Sequence, residues 1–377
     1  MRRWLLVPAL LIALLALAAC AAEEKATPAP AAPTAAAKAA WEQEWEQVVA
    51  AAKREGKVTV AGFAADVARK NLTEPFERKY GITVEYTGLS GPEFPTRIRP
   101  EREAGQYLWD LFIGGTTTTL TSLKPMKALD PIEPALILPE VKDPKVWLKG
   151  QLDWCDKDRT CLAMLLYGRS DLFINTSLVK SEEFKSFKDL LNPKWKGKIL
   201  LHDPRIAGPS QAVFTFWYQY PELGTEFIRA MARQEPIITR ETQQEMEWVA
   251  QGRYPILIGG TPATAFRMKE AGAPIAYLDS TLLKEGGYAS PGWGAVSLIN
   301  RAPHPNAAKL YLNWLLSKEG QLQLSKAAEY ASQRLDVPRD HVPAYLMPQA
   351  GYGDTYSEKA MEVKDPLVRL LKEVFGE

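Results

Sequence analysis

From residue 41 onward the chain alternates between two hydrophobic patterns. Residues 41–55 place Trp41, Trp45, Val48, Val49 and Ala52 on one side of a 3.6-residue turn. That spacing predicts an amphipathic helix, which Gly56 ends. Residues 57–61 read as a short strand, 65–80 as a second helix ended by Gly81, and 82–86 as the next strand. Residues 97–105 are helical in pattern, and 108–113 form a strand that stops at Gly114-Gly115-Thr116. Strand, helix, strand, helix at this spacing predicts a parallel α/β sheet. A middle stretch carrying Pro125, Pro131, Pro134, Pro139 and Pro144 predicts loops and short turns across a surface. The pattern then restarts. Extended segments are expected at 162–167 and 171–175, and strands at 198–202, 255–258, 273–278 and 294–299. Helices are expected at 211–220, 224–234, 241–251, 263–272 and 303–319.

One junction recurs between these elements: a strand that ends in small and hydroxyl residues and passes directly into a helix. It occurs at Gly62-Phe63-Ala64, Gly114-Gly115-Thr116-Thr117, Ala207-Gly208-Pro209-Ser210 and Gly259-Gly260-Thr261. Such a junction offers unpaired N–H groups, hydroxyls and the positive end of a helix. Glycine lets a ligand approach the backbone closely. Taken singly, each is an ordinary β–α turn. In open parallel sheets, however, ligands lie beyond the C-terminal ends of the strands. Two junctions in each half of the chain predict one shared cleft, with Phe63, Thr116, Thr117, Ser210, Gly260 and Thr261 as candidate contacts.

The first forty residues follow other rules. Arg2 and Arg3 precede an apolar run to Ala19 that is short for a bilayer span, and the run ends in Leu17-Ala18-Ala19-Cys20. Residues 1–20 read as an export signal with Cys20 as the lipidated residue. Residues 21–40, rich in Ala and Pro, read as a tether. The remaining chain is larger than one core usually supports, so two domains are expected. The 46 basic and 45 acidic residues nearly balance, which excludes a polyanion-binding profile, and no nucleic-acid partner is expected. Cys155 and Cys161 remain as a pair in an exported chain, so a disulfide is expected, with two free thiols as the alternative. No further Cys or His lies near enough to complete a metal site with them.

Several stretches together resemble bacterial extracellular solute-binding proteins of ABC importers, in the ferric-iron-binding-like group. They are AAKREGKVTV, FERKYGITVEY, AGQYLWDLFIGG, NPKWKGKILLHDPRIAG and APHPNAAKLYLNWLLSKEGQ. The resemblance runs from Trp41 to about residue 330. It implies an α/β, two-lobed periplasmic binding protein type II fold, with each lobe a mostly parallel sheet flanked by helices and the ligand cleft at the hinge. On that basis lobe 1 is expected to span 41–160, completed by 286–330. Lobe 2 is expected to span 161–285, completed by 331–377. The implied partners are a small-molecule ligand and a membrane permease with its ATPase. The chain is expected to be a monomer, anchored by its lipid to the outer face of the cell membrane, in the periplasm or at the cell surface.

The iron-binding members of that group place two adjacent tyrosines after the strand at 255–258. Here Thr261 and Pro262 stand there, and the first-strand loop GFAAD lacks the group's histidine. Neither threonine nor proline supplies the anionic oxygen that Fe(III) prefers. No metal or cofactor is therefore expected, and ferric iron or an iron chelate is the alternative reading. The group's anion contact falls on Gly208-Pro209-Ser210. Arg205 and Arg169 are candidate partners for a carboxylate or phosphonate. Each is alternatively a structural ion pair, with Asp203 or Asp171. Trp293, between two glycines, either caps the ligand or packs at the hinge. No Ser-His-Asp spacing or nucleophile elbow is visible, so an enzyme is not expected.

Overall fold

The first third of the folded chain builds the units its periodicity predicts. Helix α1 (Ala40–Glu55) buries Val48 and Ala52, and β1 (Lys57–Gly62) follows it directly. Helix α2 (Asp66–Tyr80) turns Ala68, Leu72 and Phe76 inward. Next come β2 (Thr83–Gly88), α3 (Glu93–Glu103) and β3 (Leu111–Gly114). Strand β1 pairs in parallel with both β2 and β3. The computed structural model describes residues 39–376 apart from 64, 65, 90, 92 and 207. The expected leader, the lipidated Cys20 and the tether through residue 38 lie outside the described residues.

After β3 the chain enters α4 (Thr116–Thr118), which widens into a π-helical turn over Thr119–Leu123. The proline-rich stretch forms short pieces, β4 (Leu129–Asp130) and α5 (Pro139–Lys142) among them. The hairpin β5 (Asp153–Trp154) and β6 (Leu162–Ala163) then leads into β7 (Leu165–Arg169). The second unit contains β8 (Leu172–Asn175), β9 (Ile199–His202), α6 (Pro209–Gln219) and α7 (Gly224–Arg233). It continues through β10 (Ile237–Thr239), α8 (Thr242–Ala250), β11 (Ile256–Ile258), α9 (Pro262–Glu270) and β12 (Ile275–Tyr277).

Strand β13 (Tyr288–Ser290) leads back, and β14 (Ala295–Ile299) enters the first sheet antiparallel to β3. That sheet has the order β2-β1-β3-β14-β6-β5, with β4 also paired to β14. The second sheet has the order β10-β9-β11-β8-β12. The strands with β–α connections run parallel, whereas β14 in the first sheet and β8 in the second run against them. Between the sheets, β7 and β13 lie side by side antiparallel, flanked by β15 (Ala331–Ser332) and β16 (Gly353–Asp354). One strand leaves the first sheet for the second and its neighbour returns.

Two helical expectations need revision. The run 303–319 is two helices, α10 (Pro305–Leu316) and α11 (Lys318–Ala328). Ser317 breaks it with an extended backbone, and its hydroxyl accepts the Gly320 N–H at 3.3 Å as an N-cap. The chain also ends in α12 (Glu358–Met361) and α13 (Lys364–Phe375), which the reading of the sequence did not anticipate. Helix α13 buries Leu367, Leu370 and Leu371, the i, i+3, i+4 spacing of an amphipathic helix, against α6 and α7.

The expected disulfide is not formed. Cys155 and Cys161 are both free, buried thiols at the loop end of the β5–β6 hairpin, where the Cys155 N–H bonds the Cys161 carbonyl at 2.9 Å. Burial, reinforced by the neighbouring Cys161 thiol, raises the Cys155 pKa well above the usual thiol value.

Candidate functional site

Where strands of the two sheets end, the chain encloses a cavity of about 390 Å³. That size lies within the ~300–1,000 Å³ of small-ligand sites. One wall is Gly115 to Thr118, the turn that follows β3. The facing wall is the start of α6, through Gly208, Pro209, Gln211, Ala212 and Thr215. Strands β7 and β13 supply the floor with Arg169, Ser290 and Gly292. The C-terminal segment closes the remaining side with Thr355, Tyr356, Ala360, Met361 and Lys364. A larger hollow, about 520 Å³, lies against the far end of α6 around Tyr218–Pro221 and Lys359. It touches no strand end of the first sheet, so the smaller cavity is the one that both halves of the chain define.

The chemistry of the walls follows from local structure. No side chain caps the N-terminus of α6 at Gly208, and Pro209 at the first helical position has no N–H to satisfy. Helix α6 therefore presents uncapped backbone donors to the cavity. Arg169 is buried, and its Nε and Nη2 reach Asp171 at 2.8 and 2.6 Å. Its guanidinium lies 5.4 and 5.6 Å from the ring centres of Tyr167 and Tyr288. The Tyr288 hydroxyl donates to the other oxygen of Asp171. Burial works against the charge on Arg169, but Asp171 more than offsets it, so the pKa stands well above the ordinary value. A cation held this way loses little side-chain freedom when a ligand arrives. Arg169 and Lys364 line the cavity, and among the described residues no Asp or Glu does.

Comparison with known proteins agrees with this geometry. The model of the bacterial extracellular solute-binding protein family matches residues 71–347. The chain belongs to that family. A protein of Haemophilus influenzae described as uncharacterized is 24% identical over 284 residues, covering 73% of this chain and 77% of its own. Among solved structures, the periplasmic binding protein AfuA from Actinobacillus pleuropneumoniae, with exogenous fructose-6-phosphate bound, superposes with a TM-score of 0.61. It is 20% identical and the match covers 84% of this chain and 98% of AfuA. Ferric iron-binding protein A of Mannheimia haemolytica, in an open conformation, gives a TM-score of 0.66 at 13% identity, covering 85% and 99%. Iron-bound HitA from Pseudomonas aeruginosa gives 0.62 at 15%, covering 84% and 99%. At these identities the neighbours establish the two-lobed type II fold.

The cavity gathers some expected contacts and not others. Thr116, Thr117 and Arg169 line it, together with Gly208 and Pro209 beside Ser210. Ser210 itself is fully buried, and its hydroxyl donates to the Ile258 carbonyl at 3.0 Å. Arg205 is outside the lining. Its Nε and Nη2 bind Asp203 at 2.7 and 3.0 Å, and its Nη1 bonds the carbonyls of Phe375 and Gly376. The alternative role for Arg205, a structural ion pair, is thus the one the geometry fills. Arg169 makes its ion pair with Asp171 and also lines the cavity.

The junction after β11 has a packing explanation. Gly259 has φ +93°, and a Cβ there would stand 2.0 Å from Ser210 Oγ and 2.9 Å from the Ser210 nitrogen. At Gly260 a Cβ would strike Met246 Sδ at 2.6 Å and the Phe173 ring at 2.8 Å. The glycines admit α6 and α8 rather than a ligand. Thr261 is exposed and lines no part of the cleft, while Pro262 borders a separate hollow with Tyr330 and Tyr345. Phe63 and Trp293 stack on each other with centres 4.9 Å apart and planes 7° apart. Trp293 packs on the first core while Phe63 is 41% exposed, and neither lines the cavity.

The sequence reading missed the other contributors. Gln211 and Thr215, polar at i and i+4 within an aromatic helix, carried a signal. Ser290 and the wall residues from Thr355 to Met361 carried none that periodicity could detect. Among the described residues, no helix is long and apolar enough to cross a membrane.

Proposed function

We propose that this solute-binding protein captures a small organic anion between its two sheets and delivers it to an ABC permease. The observation that carries the reading is a cavity between sheet ends with two cationic side chains, uncapped helix donors, threonine hydroxyls and no carboxylate side chain in its lining. In this reading Thr116, Thr117, Arg169 and the N–H groups after Pro209 bind the anion, and Ser210 and Gly259 hold that helix end in place. A neutral sugar would bring no counter-charge to Lys364, the cavity cation that makes no ion pair among the described residues. Fructose-6-phosphate in AfuA is a precedent for an anion in this fold.

Ferric iron is the competing reading. It would need anionic oxygens where Thr261 and Pro262 stand. Among the described residues, no group of three or more His, Cys, Asp and Glu side chains is placed to hold a metal ion. A thermal-shift screen over carboxylates, phosphonates, phosphate esters, sugars and Fe(III) tests both. A ligand present at 100 times its dissociation constant adds about 2.7 kcal/mol of stability. Stabilisation by sugars alone would refute the anion reading, and a coloured, iron-stabilised protein would establish the alternative.

We further assign Cys20 as the lipid-bearing residue, tested by whether Cys20→Ala releases the protein from membranes. Lobe 1, expected at 41–160 with 286–330, is drawn on through β6 (Leu162–Ala163), which pairs in the first sheet, and lobe 2 takes the chain from β8 to β12 with most of the C-terminal segment. Arg334 is buried beside Trp147 and donates to the Leu316 carbonyl at 3.0 Å. Residues 331–336 therefore stay with lobe 1, and the last crossing is drawn after them.

A further inference from the structure

The family match ends at residue 347, yet one side of the cleft is built from residues 355–364. That segment is fixed at both ends. On the first-sheet side, the Tyr356 hydroxyl donates to Asp153 at 2.5 Å, and the Glu358 N–H bonds the Cys155 carbonyl at 2.6 Å. The Glu358 carboxylate takes Lys124 at 2.7 Å and the Lys157 N–H at 3.2 Å. On the second-sheet side, α13 docks on α6 and α7, with Phe375 against Phe214 and Arg229 paired to Glu373 at 2.6 Å. Lys364 is the first residue of α13 and lines the cavity.

Lys364 differs from the other lysine in this region. Lys124 is met by Asp156, Asp158 and Glu358, all within 2.9 Å. Among the described residues Lys364 makes no ion pair, although it is half-buried and faces a cavity without carboxylates. A half-buried ammonium without a counter-charge is a standing cost to the fold. Burial, partly offset by the neighbouring Asp365, lowers its pKa accordingly.

We propose that Lys364 is a selectivity residue that reads a second negative charge, so that the ligand class is the doubly charged small organic anion. This rests on the anion reading above. Arg169 and the start of α6 bind one anionic oxygen, and Lys364, carried in by the C-terminal segment, binds a second, whether both belong to one phosphate or to two carboxylates. A phosphate monoester and a dicarboxylate share this chemistry.

Calorimetry tests it with matched pairs: fructose-6-phosphate against fructose, and malate against lactate. The variants are Lys364→Met, Lys364→Arg, Arg169→Met and, as a control outside the cavity, Lys359→Met. At least one doubly charged member should bind the unmodified protein more tightly than its partner. Lys364→Met should weaken that member by about tenfold or more, the loss of one charge-assisted hydrogen bond. It should change the less charged partner by less than about twofold, and Lys364→Arg should restore most of the difference. Lys359→Met should change neither. Loss of binding in Arg169→Met with Lys364→Met unaffected, or an equal loss for both members of a pair, overturns the role of Lys364 while leaving the anion reading intact. Failure of every doubly charged probe to bind overturns both.

Discussion

Replacing Arg169 with methionine tests the centre of the site, because Asp171 is fully buried and depends on it. In the native protein Asp171 accepts from Nε at 2.8 Å, meets Nη2 at 2.6 Å, and takes the Tyr288 hydroxyl. Arg169→Met removes both guanidinium contacts and leaves one donor on a buried carboxylate. Breaking a buried pair by removing one partner costs about 3–5 kcal/mol. The cost should depend on pH. Burial already raises the Asp171 pKa in the native protein, with Arg169 pulling against it. Without Arg169 the folded-state pKa rises further above the unfolded value. The folded variant then holds its proton more tightly than the unfolded chain does. Its stability therefore falls as pH rises between those two values and recovers on acidification. Denaturant titrations at pH 8 and pH 5.5 measure this. The deficit should be largest at pH 8, and adding Asp171→Asn should remove much of it at that pH. A variant within about 1 kcal/mol of the native protein at pH 8, or a deficit indifferent both to pH and to Asp171→Asn, would refute the argument.

Other expectations follow from the same coordinates. Burial opposes the charge on Asp203, but bonds from the Arg205 side chain and backbone and from Arg240 outweigh it and hold the pKa at about 2, below the ordinary carboxylate value. This contribution is complete above pH ~4 and is lost as pH falls toward 2, on the order of 2 kcal/mol at most; Asp203→Asn should flatten acid unfolding across that window. Arg205→Ala should destabilise the fold by roughly 1–3 kcal/mol, because it frees the Phe375 and Gly376 carbonyls and strips Asp203, yet change anion affinity by less than about twofold. A larger loss of affinity would return Arg205 to the cleft. Gly259→Ala should cost about 1–3 kcal/mol and weaken ligand binding, since its Cβ would displace Ser210 at the start of α6; unchanged melting would show that the junction has room to spare.

The contrast between Arg205 and Arg169 shows where sequence reading reaches its limit. Both arginines have a carboxylate two positions away, at Asp203 and Asp171. Their local sequences therefore support the same two roles. What separates them is the direction each strand end faces. Arg169 ends a strand that passes between the sheets, while Arg205 follows β9 on a loop that reaches the last turn of α13. The partner that decides Arg205 lies some 170 positions away, in a helix that the reading had not placed. Helix α13 carried the evidence of its own existence, since Leu367, Leu370 and Leu371 keep a helical spacing. Its docking partners were not written in that spacing.

The β–α junctions show the same limit from the opposite side. All four were legible as strand ends with glycine and hydroxyl residues, and two of them, Gly115 to Thr118 and Gly208 to Ala212, do face one cavity. Glycine, however, answers to any close approach and not only to that of a ligand. At Gly259 and Gly260 the approaching atoms belong to Ser210, Met246 and Phe173. That packing sets the position of the α6 end that lines the cleft. The junction after β11 thus supports the cavity wall through Ser210, and its threonine is left facing solvent. A composition that reads as a binding loop can equally be the support behind one, and only the partner's coordinates tell the two apart.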